Sequence, residues 1–224
     1  VQAADAPRLA DALAKRVFLF GGTDLSRDSQ SLWAGFVAAP VGRLDDDEIR
    51  LRVMGGLSQY RYHTTAVPGG VNRGDASSGE IMLGWHRGFA NAAITAYLGA
   101  HAEDHRLRNA DPDNPVNGSK VGVKGVLEVF WRPLPAQVVT ASASASTVYG
   151  KYQARATYAH EFSPFVSAGI EGGMLGDLRY VEPRAGLFVT TTIATSSVTL
   201  SGGFLSNSDR GDGAYLTLSI YAPF

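Results

Sequence analysis

The chain has 224 residues, 45% hydrophobic and only 18% charged, which excludes a disordered protein and leaves room for one sizeable domain. Its 20 Lys plus Arg against 21 Asp plus Glu give a net charge of -1, with no electrostatic footprint for nucleic acid, and zero Cys excludes disulfides and thiol catalysis. No stretch approaches the ~20 apolar residues of a transmembrane helix; the mean hydropathy of -0.04 does not exclude a transmembrane barrel, whose polar lumen offsets its apolar exterior.

Val1-Gln2-Ala3 has the small-residue character of the end of a signal peptide, as many mature chains do. "DAPRLADALAKR" (Asp5–Arg16) has helical character, and residues 1–15 read as a periplasmic lead-in: an amphipathic plug, a partner-docking helix or a disordered approach. From residue 16 to 224 the pattern has period two, the mark of strands whose faces meet different environments. About twelve such segments follow, over 16–25, 30–40, 47–60, 79–88, 91–103, 119–131, 136–147, 150–161, 164–175, 181–194, 196–206 and 213–224. Each is close to the ~9–11 residues that a tilted strand needs to cross a bilayer.

The third segment sets Ile49, Leu51, Val53 and Leu57 against Arg50, Arg52, Ser58 and Tyr60. The fourth and fifth place Glu80, His86, Tyr97, His101 and Glu103 on the polar side, and the sixth sets Val121, Val123, Leu127 and Val129 against Lys124 and Glu128. "ASASAS" (Ala141–Ser146) divides Ala from Ser, and Arg155, Glu171, Arg184 and Tyr215 continue the polar side to the C-terminus. An Arg or Lys on the lipid face near mid-membrane costs roughly 2–4 kcal/mol, so the polar face is expected to line a lumen. Trp85, Trp131, Tyr158, Phe165 and Phe224 fall near one end of the segments, and Tyr149, Tyr152 and Phe204 near the other, predicting two interfacial girdles.

Links after even-numbered segments are short ("RGFAN", "RPLPA", "EFSP", "ATS", with "GRLDDD" still turn-sized), whereas Arg61–Ser78, Asp104–Ser119 and Asn207–Asp212 are long and rich in turn formers. That alternation, with an even strand count, predicts a closed antiparallel transmembrane β-barrel of the outer membrane with both termini in the periplasm. A soluble sandwich or lipocalin-like barrel also alternates, and the pattern alone does not say which face is convex.

Several stretches are similar to one family: "FLFGGTD" (Phe18–Asp24), "RLRVMGG" (Arg50–Gly56), "AYLGAHAEDH" (Ala96–His105), "DPDNPVNGSKVGVKG" (Asp111–Gly125), "EVFWRP" (Glu128–Pro133), "PRAGLF" (Pro183–Phe188) and "GAYLTLSIY" (Gly213–Tyr221). In order and spacing they resemble the bacterial cellulose-biosynthesis BcsS family, carried by cellulose-secreting Gram-negative bacteria, over nearly the whole chain from Arg16. The resemblance implies an outer-membrane protein of exopolysaccharide production or export and transfers no catalytic residue set.

A lumen of both charge signs with Tyr60, Tyr97 and Tyr215 suits a neutral, hydroxyl-rich glycan, though the same charges could simply neutralise one another in a filled interior. The expected partners are therefore outer-membrane lipid, cellulose or another glycan, and periplasmic synthesis components. A narrow porin for small saccharides is the runner-up, and a lipid- or glycan-modifying barrel enzyme the third reading. Among His63, His86, His101, His105 and His160, spacing assembles no nucleophile, base and orienting carboxylate, so no catalytic residue is assigned. "DPDNPVNG" (Asp111–Gly118) begins like a calcium loop but lacks the closing Glu, so no metal site and no cofactor is assigned.

Overall fold

Twelve alternating stretches can satisfy their backbone groups only by pairing with one another, and closing the sheet on itself removes the unpaired edges. A computed structural model describes residues 16–223 and has that architecture, an all-β closed barrel of twelve antiparallel strands. The strands are β1 (Val17–Ser26), β2 (Ser29–Ala38), β3 (Ile49–His63), β4 (Val71–Gly88), β5 (Ala92–Leu107), β6 (Gly118–Leu134), β7 (Gln137–Ser146), β8 (Tyr152–Ser163), β9 (Val166–Gly176), β10 (Val181–Ile193), β11 (Ser196–Asn207) and β12 (Gly211–Pro223). Each pairs with its sequence neighbour, and β12 returns to β1 in a register running from Phe18 opposite Pro223 to Ser26 opposite Tyr215. The helical expectation for Asp5–Lys15 and the girdle position of Phe224 lie outside the described residues.

The barrel has one apolar face, and that face points out. Leu98 is 64% exposed, Val121 79% and Phe204 81%, with Ile49, Leu57, Leu83, Leu187 and Leu200 in the same belt. A water-soluble barrel would bury these side chains; a continuous apolar exterior of this extent is matched by lipid. The lipocalin-like alternative is thereby overturned, because the convex face is the apolar one.

The two ends differ. At the end that holds the short turns, successive strands join through 89–91, 135–136, 164–165 and 194–195. The exception is 39–48, which folds inward: the Arg50 guanidinium donates to the carbonyls of Arg43 (3.1 Å), Leu44 and Asp46 (3.1 Å). At the opposite end β3 to β6, of 15 to 18 residues, rise well above the 10-residue β1 and β2. The three expected long links are shorter, 64–70 in place of Arg61–Ser78 and 108–117 in place of Asp104–Ser119, where the strands rise, and 208–210 in place of Asn207–Asp212. Above the apolar belt both faces of a strand meet polar surroundings, so "VNRGDASS" (Val71–Ser78) loses its hydrophobic alternation while keeping its ladder to β3.

The low side over β1 and β2 is bridged by polar contacts. Arg61 pairs with Asp28 at 3.1 Å, and His63 Nδ1 lies 2.8 Å from the Asp209 carbonyl. Exposed aromatics gather mainly at one end. Trp85, Trp131, Tyr158 and Phe165 are exposed on the outer surface near the short turns, joined by Phe89 and Phe162. At the far end Phe204 points out and Tyr152 stands on the outward side of its ladder, opposite Ala145 and Gly176, but Tyr149 does not point out. Tyr149 is 1% exposed, with a positive φ of 53° at the β7–β8 link that turns its ring beneath 108–117.

Candidate functional site

Inward-facing residues of all twelve strands enclose a lumen with a cavity of about 800 Å³, lined from Phe18, Leu44 and His86 at one end to Asn114, Arg179 and Asp209 at the other. Spread over the ~25 Å height of a membrane band, that volume is a mean section of about 30 Å², far narrower than the aqueous channel of a 16–18-stranded porin. Of the polar residues expected inside, Arg50, Arg52, Tyr60, His86, Tyr97, His101, Glu103, Lys124, Glu128, Arg155, Glu171, Arg184 and Tyr215 line the cavity. Glu80 also faces inward but is buried beneath its partners, its carboxylate held by Arg52 Nε at 3.1 Å and Lys124 Nζ at 2.6 Å.

Three polar clusters fill the interior. In the first, Arg52 also bonds Glu128 (2.7 Å), and its guanidinium lies over the rings of Phe20 (5.4 Å) and Tyr97 (5.6 Å). In the second, Arg184 bonds Asp24 (2.7 Å) and Glu182 (2.6 Å) and covers the Tyr215 ring at 5.0 Å, while the Tyr215 hydroxyl donates to Glu171, which also pairs with Arg155. The third gathers Glu103, bonded by His105 Nε2 (3.0 Å), His101 Nε2 (3.3 Å) and Lys151 Nζ (2.7 Å), with Tyr60 on His105 Nδ1 (2.9 Å) and Ser146 on His101 Nδ1 (2.8 Å). A serine, a histidine and a carboxylate thus meet where spacing along the chain predicted no such grouping. Here Glu103 is shared among three donors and Ser146 Oγ also accepts the Val148 N–H, so both ends of the grouping are engaged in holding β5 to the β7–β8 link.

The mouth opposite the short turns is narrowed where links meet the ends of β3 and β4. Tyr62 donates to Asp111 (3.0 Å), Asn72 ties Tyr62 to the Asn109 carbonyl, and Arg179 reaches both Asp209 and the His63 carbonyl at 3.3 Å. Burial in the β9–β10 link raises the Asp177 carboxyl above its ordinary range and pushes the Tyr180 hydroxyl up as well.

Two features set what this lumen can do. The first is charge. Arg50, Arg52, Lys124, Lys151, Arg155, Arg179, Arg184 and Arg210 line the cavity with Asp24, Glu103, Glu128, Glu171, Asp177, Glu182 and Asp209, and Glu80, buried against Arg52 and Lys124, brings the two signs close to formal balance. The second is the seating of the rings. Tyr60, Tyr97, Trp33 and Phe20 each lie against an inward glycine on the adjacent strand (Gly74, Gly84, Gly22 and Gly35), where a Cβ would collide with the ring. These rings therefore lie along the wall, with the Arg52 guanidinium over those of Phe20 and Tyr97. Asp24, Glu182 and Trp33 were legible as inward by alternation but had no visible partner in sequence. Asp177, Arg179 and Arg210 sit in links, where alternation gives no signal.

A family model described as cellulose biosynthesis protein BcsS matches residues 18–224. No curated protein matches the sequence. Among solved structures the barrel is similar to an outer membrane channel from Pseudomonas putida F1, with 13% identity, a TM-score of 0.62 and coverage of 99% of this chain and 100% of that one. It is also similar to the KdgM porin in complex with disordered oligogalacturonate, with 8% identity, a TM-score of 0.56 and coverage of 92% and 99%. LpxR from Salmonella typhimurium is a third, with 12% identity, a TM-score of 0.57 and coverage of 92% and 100%. The shared property is the fold of outer-membrane barrels.

Proposed function

The chain belongs to the cellulose biosynthesis BcsS family, and on that footing we propose that it is a non-enzymatic outer-membrane barrel of cellulose or related exopolysaccharide secretion that takes a neutral glycan into its narrow lumen. The observation that carries the reading is the near balance of formal charge in an interior where most of the charged groups are paired with one another. Paired guanidinium and carboxylate groups offer hydrogen bonds to hydroxyls without a net field, which favours an uncharged polyol over a polyanion. The KdgM porin captured with oligogalacturonate is a useful contrast, since that ligand is acidic.

The apolar belt and the family both support placement in the outer membrane. Both termini lie in the periplasm, at the end with the short turns, and the taller β3–β6 wall faces outward from the cell. Glycan contact with the lumen is one mode of action, and contact with periplasmic components of the synthesis machinery through the acidic 39–48 link is the other.

Single-channel recording in planar bilayers tests the lumen role. The protein should give a small conductance that cellohexaose blocks from one or both sides, while an equal concentration of oligogalacturonate leaves it open. Block by the acidic oligomer alone would overturn the neutral-glycan reading. A conductance indifferent to both sugars would favour a general porin, and no conductance together with no calorimetric binding of cellohexaose would leave only the scaffolding role.

A further inference from the structure

The lumen contains one indole, and it has no assigned task. Trp33 stands in β2 on a rung that runs Ser219, Gly22, Trp33, Gly56, Ser78 across β12, β1, β2, β3 and β4. Five strands spaced ~4.8 Å apart give about 19 Å of wall bearing a single bulky side chain. The indole leans over β1: its Cζ2 lies 2.6 Å from where a Cβ on Gly22 would stand, so only glycine there lets the ring lie against the wall. On the other side Gly56 keeps bulk away from the ring, and the Ser78 hydroxyl leans over it, 2.9 Å from where a Cβ would stand. Trp85 and Trp131 are on the outside of the barrel.

The surroundings separate Trp33 from other lumen rings. Phe20, Tyr97 and Tyr215 are each covered by a guanidinium, and so are Tyr62 and Tyr180 at the mouth opposite the short turns. Among the described residues no Arg or Lys covers Trp33, and its Nε1 makes no protein hydrogen bond there, although the residue lines the cavity. A free aromatic face of this size, bordered by glycines and serine hydroxyls, fits a flat, uncharged ring with an apolar face and polar edges. Pyranoses whose hydroxyls are all equatorial have that form, with C–H groups on both faces and hydroxyls around the rim.

Resting on the neutral-glycan reading, we propose that Trp33 is the stacking platform of a saccharide subsite in the lumen, specific for β-linked, all-equatorial pyranose units. The ring would lie on the indole and extend over Gly56, with Ser78 and Ser219 within reach of its rim hydroxyls.

The test uses the full chain in detergent micelles, with cellohexaose as probe. In the variant Trp85→Phe/Trp131→Phe, Trp33 is the sole indole, and its emission should change saturably with cellohexaose. Calorimetry on Trp33→Leu should show at least tenfold weaker binding than the native chain, partly restored in Trp33→Phe, with heat-modifiable migration on gels retained. Gly56→Val, which raises branched bulk beside the indole without altering the indole itself, should weaken binding in the same way and serves if Trp33→Leu does not fold. Native-strength binding by Trp33→Leu, or unchanged emission during calorimetrically detected binding, overturns this subsite and leaves the neutral-glycan reading standing. Failure of the native chain to bind cellohexaose overturns both.

Discussion

Glu80 illustrates how far side-chain parity reaches. Its place between outward Ile81 and the apolar belt marked it as inward, and it is, but it contacts Arg52 and Lys124 instead of the cavity. Those partners come from β3 and β6, and nothing local announces them. The same holds for Arg184 and Asp24, 160 positions apart, which meet only because the two ends of the sheet close on each other. Breaking a buried pair leaves its partner uncompensated, which typically costs 3–5 kcal/mol. Glu80→Gln strands Lys124 and half of Arg52, so unfolding followed by urea titration in micelles should show a loss of about 3 kcal/mol. Adding Lys124→Gln should recover most of that loss, since Arg52 keeps Glu128. A single variant within about 0.5 kcal/mol of the native chain would mean that lumen water already solvates these charges.

At the scale of the strand, period two located all twelve elements, and most boundaries fall within about three residues of the expected ones. The main departure is β4, whose first eight residues rise above the belt, where polar surroundings on both faces erase the alternation. The β7–β8 link misled for another reason: Tyr149 resembled an interfacial aromatic, yet its left-handed backbone turns it inward to donate to the Asn117 and Gly118 carbonyls. Ring seating was not legible at all, because it depends on which glycine stands opposite which aromatic across a ladder. The β4–β5 pair makes this testable. A Cβ on Gly84 would meet the Tyr97 ring and stand 2.7 Å from the Ala96 carbonyl. Gly84→Ala should therefore cost about 1–3 kcal/mol by overpacking. In a Tyr97→Ala background the same change should cost about 1 kcal/mol less, a coupling that a double-mutant cycle measures directly. Equal costs in both backgrounds would assign the strain to the backbone carbonyl alone.

At the scale of the whole barrel, the decisive asymmetry is between its two faces. The exterior is apolar because it meets lipid, and the interior is polar because its charges can find partners there; one residue step along any strand exchanges the two environments. Leu98 lies outward, about six residues from the short-turn end of β5 and therefore near the centre of a ~25 Å band. Ser144 lies inward on β7, on the cavity wall. Introducing the same cation at each position separates membrane embedding from mere barrel closure. Leu98→Arg should destabilise the barrel in lipid vesicles by about 2–4 kcal/mol and slow its assembly, because the guanidinium must be dragged into hydrocarbon. Ser144→Arg should cost about 1 kcal/mol or less and act through the lumen, shifting ion selectivity toward anions by adding a positive charge to a nearly balanced interior. The contrast has a sharp reverse. Were the barrel to work in water, Leu98→Arg would be tolerated or even stabilising, since it would replace an exposed leucine by a solvated cation, and only the lumen substitution would be felt.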